Sequence, residues 1–137
     1  MTLDVSTAPM IELEDVRDYC LLLPEVSEGY PFGEDHLVFK VKDKMFCLMS
    51  LEAYPSTMNL KCEPDRAIEL REQYDGIAPG YHMNKKHWNT LILDGSVPSS
   101  LIQELLDHSY ELVVGSLKKS DRERVQGELA RRRASSP

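Results

Sequence analysis

Residues 36–62 decide the fold, and they read HLVFKVKDKMFCLMSLEAYPSTMNLKC. Leu37, Phe39 and Val41 alternate with more polar neighbours, which predicts a strand with one face toward a core. Residues 42–44 predict a tight turn, and the nearly all-apolar stretch that follows predicts a strand covered on both faces. A third alternating run, at residues 57–62, completes an antiparallel meander.

Helical patterns flank this meander. Residues 11–23 repeat apolar side chains at helical spacing, a second helix is expected at 64–73, and a third at 98–114 with a glycine behind it. Residues 77–84 predict irregular backbone or a short edge strand, and 86–93 predict a strand. The fold class is therefore α+β: an antiparallel β-sheet with helices packed on one face, in the order α-β-β-β-α-β-(β)-α plus a short C-terminal helix.

Turn residues and chain ends set the limits of this domain. Gly29, Pro31 and Gly33 predict a loop over residues 25–35. We expect a flexible leader at 1–10, a single domain at 11–117, and a basic tail at 118–137 that is partly helical or disordered. At 137 residues the chain is long enough to bury a core without staples. Its three scattered cysteines predict free thiols in a reducing compartment, the cytoplasm.

Charge is divided between the predicted elements. The chain has a net charge of −7, which argues against a strong general nucleic-acid binder. Each predicted helix is acidic; the first has four acids against one base. The meander has four lysines against two acids, and residues 81–93 add two lysines without an acid. A local basic face on the sheet is therefore expected.

The candidate binding residues lie on the strands and in the segment 80–90. Lys40, Lys42 and Lys61 are placed opposite the apolar side of their strands, where they can contact phosphates. The segment 80–90 mixes bases, amides and aromatics, and we expect Trp88 to pack in the core. The predicted nucleic-acid-binding residues are Lys40, Lys42, Lys61, His82, Asn84, Lys85, Lys86 and His87.

Other interpretations of the same residues stay open. Exposed lysines also keep a sheet soluble and block edge pairing. The helix-one acids Glu12, Glu14, Asp15 and Asp18 suit a weak cation site or a solvated helix face. His108 is expected to be a core histidine. No catalytic or cofactor motif is present. We therefore predict no cofactor, and an enzyme only if the cluster at Tyr81–Asn89 lines a pocket with a carboxylate that the fold brings in. We also predict no membrane association, and DNA, a protein partner or a second copy of the chain as the partner.

Several blocks of the chain resemble the YjbR/MmcQ-like family of small bacterial proteins. The resemblance covers roughly residues 11–117 and is most specific in Pro79–Asn89, with further matches at Leu23–Glu25, Gly29–Gly33 and Asp107–Tyr110. It implies a compact α+β fold similar to the bacterial frataxin fold. It also implies DNA binding through a double-wing arrangement, with no established enzymatic activity. A protein-interaction or chaperone-like module and a frataxin-like metal binder are the alternatives.

Overall fold

The computed structural model describes residues 12–80 and 83–134, which form four helices and one six-stranded antiparallel sheet. The helices are α1 (Leu13–Leu22), α2 (Pro64–Gln73), α3 (Ser99–Gly115) and α4 (Lys119–Ala134). The strands are β1 (Val26–Gly29), β2 (His36–Val41), β3 (Lys44–Ser50), β4 (Thr57–Lys61), β5 (Ile77–Pro79) and β6 (Trp88–Ile92). They lie in the order β1-β2-β3-β4-β6-β5, so two short strands form the edges.

The predicted fold class is confirmed, with two differences in detail. The sequence predicts a loop over residues 25–35, but Val26–Gly29 pair with β2 as strand β1. This strand has four residues, two of them exposed, so it shows no apolar alternation. The C-terminal helix, predicted to be short, is sixteen residues long, and its buried Val125 joins the core.

The core lies between the sheet and the helices. Helix α3 packs across β2, β3 and β4, while α1 and α2 cover β1 and β5 near the two edges, and α4 packs on α3. Leu37, Phe39 and Val41 point into this core, as their alternation predicts. The opposite side of the sheet has no helix on it among the described residues, and we call it the open face.

Strand β3 has an irregularity on which the core and the open face both depend. Phe39 pairs with Cys47 and Lys40 with Met45, so Phe46 is an extra residue opposite β2. Such a bulge sends two consecutive side chains toward the same side of the sheet. Phe46 and Cys47 are accordingly both fully buried in the core cluster.

Ser109 of α3 stabilises this bulge. The regular β3–β4 pairing ends at Cys47 and Leu60. Beyond it, the Ser109 hydroxyl donates to the Phe46 carbonyl at 2.5 Å and accepts from the Lys61 N–H at 2.9 Å. The serine is fully buried. Its hydroxyl thus takes the place of a direct hydrogen bond between β3 and β4 at this point, and both backbone groups have a partner.

Neighbouring residues of α3 anchor the helix to other elements. The Tyr19 hydroxyl on α1 donates to Asp107 at 2.5 Å, and the Tyr110 hydroxyl donates to the Pro24 carbonyl at 2.6 Å. The ring of Tyr110 meets that of Phe46 edge-on, with centroids 5.3 Å apart. The block Asp107–Tyr110 therefore has a structural role: it fixes α3 on the sheet and on α1.

Replacing Ser109 tests this anchor. We expect Ser109→Ala to lower the free energy of unfolding by about 1–3 kcal/mol, because two buried backbone groups lose their partner. Urea denaturation measures the change. The matched control is Ser100→Ala on the exposed side of the same helix, for which we expect about 0.5 kcal/mol or less. Equal effects of the two substitutions would contradict the role assigned to Ser109.

The surroundings of His108 predict that the stability of the folded protein depends on pH. Its Nε2 accepts the Glu63 N–H at 3.1 Å, and burial, followed by the nearby Arg66, lowers the pKa of the imidazole. The folded state therefore favours neutral His108, while the unfolded chain takes up the proton first on acidification. The stability that this histidine contributes is complete above about pH 6.5 and is lost below it.

Urea denaturation at neutral pH and at about pH 5 checks this sign. We expect the free energy of unfolding to fall more on acidification in the unmodified protein than in His108→Gln, whose side chain does not titrate. An identical fall in both proteins would show that other groups dominate this range.

Candidate binding surface

The open face is formed by alternate residues of the strands. The bulge and the strand registers place Lys40, Met45, Leu48 and Asn59 there, across from the core-facing positions. Val38, Leu48 and Asn59 on this face are buried, although no helix in the described ranges covers them. The remaining members of the face on β2, β3, β4 and β6 are His36, Ser50, Thr57, Lys61, Trp88, Thr90 and Ile92.

A cavity of about 300 Å³, the central pocket, lies on the open face. Its apolar walls are Phe32, Met45, Leu48 and Met83. Phe32 comes from the β1–β2 loop and Met83 from the β5–β6 loop, and these loops leave the sheet at opposite ends. The pocket therefore has a strand floor and a wall from each loop.

Phe32 is presented by a tight turn. Gly33 donates its N–H to the Tyr30 carbonyl at 3.2 Å and has a φ of +108°, a conformation that L side chains rarely adopt. The Phe32 side chain remains 63% exposed at the rim. An exposed aromatic ring beside an apolar cavity is typical of a binding site rather than of a core.

The polar part of the pocket consists of His36, Ser50 and Asn59. Asn59 is only 6% exposed. The Thr90 Oγ1 lies 2.6 Å from its Oδ1 and 3.1 Å from the Pro79 carbonyl oxygen. Thr90 thus satisfies one end of the Asn59 amide, and no described residue pairs with the other end.

Sheet topology brings the predicted lysines to one end of the sheet, where Lys40 and Lys61 lie on the open face. Strands β2 and β4 are both antiparallel to β3, so their last residues lie together, and β6 begins at that end. Lys40 is opposite Met45 and Lys61 is opposite Trp88. We call this end, formed by Lys40, Lys42, Lys61, Lys85 and Lys86, the lysine end.

The lysines differ in their surroundings. Hydrogen bonds from Arg124 are the main reason that the pKa values of the Glu25 and Asp121 carboxyls are lowered, and Lys42, in the β2–β3 turn, lies close enough to lower both further. Lys44, in contrast, donates to the Ser116 carbonyl at 3.0 Å at the end of α3, so it has a structural role. The positive potential of the lysine end thus comes mainly from Lys40, Lys61 and Lys86.

Arg71 of α2 shapes the loop that contains Lys85 and Lys86. Its guanidinium donates to Asn89 Oδ1 at 2.6 Å, to the Trp88 carbonyl at 3.3 Å and to the Lys85 carbonyl. A helix on the covered side of the sheet thereby positions a loop of the lysine end.

Asn84 also has a turn-forming role. Its Oδ1 accepts the Lys86 N–H at 2.9 Å, and its carbonyl accepts the N–H groups of His87 and Trp88. His87 is half-buried, and His82 lies outside the described residues. Of the predicted binding residues, the lysines therefore lie at the same end of the sheet, while Asn84 acts on the backbone.

Trp88 departs from its predicted place. The sequence favours core packing, but the residue is half-buried on the open face and outside the core cluster. The alternation of β6 sends Asn89 and Leu91 toward the helices instead. A buried asparagine is tolerated there because Arg71 and the Ala67 carbonyl are its partners.

Other candidate sites receive no support from the described residues. Within residues 12–80 and 83–134, no group of three or more His, Cys, Asp or Glu side chains is placed to hold a metal ion. Four of the five arginines of α4 form ion pairs, among them Arg124 with Glu25 and Arg133 with Glu111. No described helix has the length and hydropathy needed to cross a membrane.

Sequence patterns do not predict the central pocket. The all-apolar β3 gives no sign that Met45 and Leu48 point away from the helices, since that depends on the bulge. Val38, an apolar residue among the polar positions of β2, was a sign in the sequence that the open face has an apolar region. Two loop residues, Phe32 and Met83, are within the family blocks but show no periodicity.

Comparison with known proteins identifies the family. The sheet, covered by helices on one side and open on the other, defines a two-layer α+β domain. Residues 21–112 match the YjbR family model, and the chain belongs to the YjbR family. The protein of known structure DR2400 from Deinococcus radiodurans, with the family-model domain DUF419, has a TM-score of 0.82 at 42% identity, over 88% of this chain and 91% of that one.

Curated relatives agree with this family. The chain is 37% identical to the uncharacterized protein YbdF of Escherichia coli O157:H7, over 82% of this chain and 93% of that relative. It is 32% identical to the uncharacterized protein YjbR of Escherichia coli K12, over 80% of this chain and 93% of that relative. A Pseudomonas syringae structure aligns with a TM-score of 0.66 at 27% identity, over 74% of this chain and 98% of that one.

Removing the Arg71 side chain tests the positioning of the lysine loop. We expect Arg71→Ala to speed amide hydrogen exchange in residues 84–88, because the Trp88 carbonyl and the Asn89 amide lose a charged donor. Exchange followed by mass spectrometry measures this. Arg66→Ala, which removes an arginine of the same helix that pairs with Glu104, is the control and should leave the loop unchanged. Slow exchange in both variants would contradict the positioning role.

Proposed function

We propose that this protein binds DNA through the open face, with the lysine end contacting phosphates. The observation that supports the proposal is the convergence of lysines from β2, β4 and the β5–β6 loop at one end of the sheet. Mobile ammonium groups act as point charges for phosphate oxygens. Binding without catalysis is the role that we propose.

The distribution of acids supports a local rather than a general basic surface. The helices α1, α2 and α3, with three acidic residues each, pack on the covered side of the sheet, whereas Asp43 in the β2–β3 turn lines a surface pocket together with Lys40. Glu63, which follows β4 closely, accepts the Asp65 and Arg66 N–H groups as the cap of α2. A net charge of −7 is therefore compatible with DNA binding at one end of the molecule.

The spacing of two loops is consistent with a double-wing arrangement. The β2–β3 turn and the β5–β6 loop leave the sheet at the lysine end, on either side of β4. Their midpoints are three strand positions apart, about 14 Å for usual strand spacing. This is similar to the width of the DNA major groove, about 12 Å.

A salt titration tests the proposal. We expect fluorescence anisotropy with labelled oligonucleotides, duplex and single-stranded, to show affinity that falls with salt, with a log–log slope of about −2 to −4.5 for three to five lysine contacts. The double substitution Lys40→Glu, Lys61→Glu should weaken binding about tenfold or more at low salt and reduce the slope by about 2.

The matched control is Arg131→Glu with Arg132→Glu, which changes the net charge equally in the last part of α4, where both arginines pair with Glu128. We expect it to retain most of the affinity. Equal losses in the two double variants would show that net charge, and not the lysine end, governs binding. If neither duplex nor single-stranded DNA binds at low salt, the proposal is wrong.

A further inference from the structure

We propose that the central pocket takes one unstacked nucleobase of single-stranded DNA. This inference rests on the proposed function. It assigns a binding position to the base, which is the part of the nucleotide that the lysine end does not contact. The cavity of about 300 Å³ is at the lower limit of ligand pockets, about 300–1,000 Å³. Its size matches one ring system better than a longer segment.

The walls of the pocket suit a flat aromatic ligand. Phe32 is 63% exposed at the rim, so its ring is accessible for stacking. Met45 and Met83 add polarizable thioethers, which make favourable contacts with aromatic rings. Stacking between aromatic and apolar side chains is the usual way in which proteins hold an unpaired base.

The floor of the pocket requires a ligand with a polar edge. Asn59 is only 6% exposed, and one end of its amide has no partner among the described residues once Thr90 has paired with the other. A purely apolar ligand, such as an acyl chain, would remove that end from water without replacing the hydrogen bond. The edge of a base offers donors and acceptors that match an amide.

The charges around the pocket indicate where the phosphates of a bound strand would lie. Lys40 is the direct strand partner of Met45, so the lysine end begins beside the apolar wall. None of the described lining residues has a carboxylate that would repel a phosphate. A base inserted in the pocket therefore leaves its phosphates next to the lysines, and only an unpaired, unstacked base can enter in this way.

An abasic oligonucleotide isolates the contribution of the bases. We compare, by fluorescence anisotropy, a labelled single strand of about twelve nucleotides with an abasic strand of equal length and phosphate number. We expect the intact strand to bind about tenfold tighter or more. Phe32→Ala should weaken its binding by about fivefold to a hundredfold and leave the abasic strand unaffected, as loss of one stacked base requires.

Two further variants complete the design. Asn59→Asp keeps the shape of the side chain but removes the amide donor, and it should also lower the preference for the intact strand. Tyr54→Ala is the control, because Tyr54 is 98% exposed and is not among the lining residues. Thermal unfolding shows whether each variant is folded. If Asn59→Asp does not fold, the result for Phe32→Ala, a substitution of an exposed side chain, decides whether the pocket binds a base.

The outcomes separate this inference from the proposed function. Equal affinity for intact and abasic strands, with binding still sensitive to salt and to the lysine end, would overturn the base pocket and leave DNA binding in place. No binding of any strand at low salt would overturn both. A free mononucleotide that binds as tightly as the intact strand would overturn the assignment to single-stranded DNA.

Discussion

The hydrogen bonds of the buried Ser109 hydroxyl allow the central strands to deviate from regular pairing. Without a partner for the Phe46 carbonyl and the Lys61 N–H, the bulge in β3 would leave two polar backbone groups unpaired in the core. The bulge in turn places Phe46 against Tyr110 and leaves Met45 on the open face. One serine on α3 thus supports both the packing of that helix and a wall of the pocket on the far side of the sheet.

The sequence predicts those elements in which the pattern of apolar and polar side chains follows their burial. Leu37, Phe39 and Val41 alternate because only one side of β2 faces the helices, so the strand and its core side follow from the pattern. Helices α2 and α3 likewise lie where their spacing and end signals place them. Strand β1 forms instead because its backbone pairs with β2, and its four residues show no periodic pattern of apolar side chains.

The candidate surface was predictable in composition but not in arrangement. The lysines could be assigned to the polar sides of their strands, yet their convergence depends on the order β3-β4-β6, in which β6 inserts between β4 and β5. The prediction for Trp88 was wrong because a large aromatic residue usually packs in the core, whereas here Arg71 allows Asn89 to occupy the buried position. The pocket was not predictable, since it combines a bulge with two loops.

The two short edge strands limit how another chain can engage this sheet. Strand β1 has four residues, and β5 has three, of which Pro79 has no N–H to donate. A peptide that added itself to either edge would gain few main-chain hydrogen bonds before the strand ended. We therefore expect a partner of this domain to contact side chains of the sheet surface rather than to pair with the main chain of an edge strand.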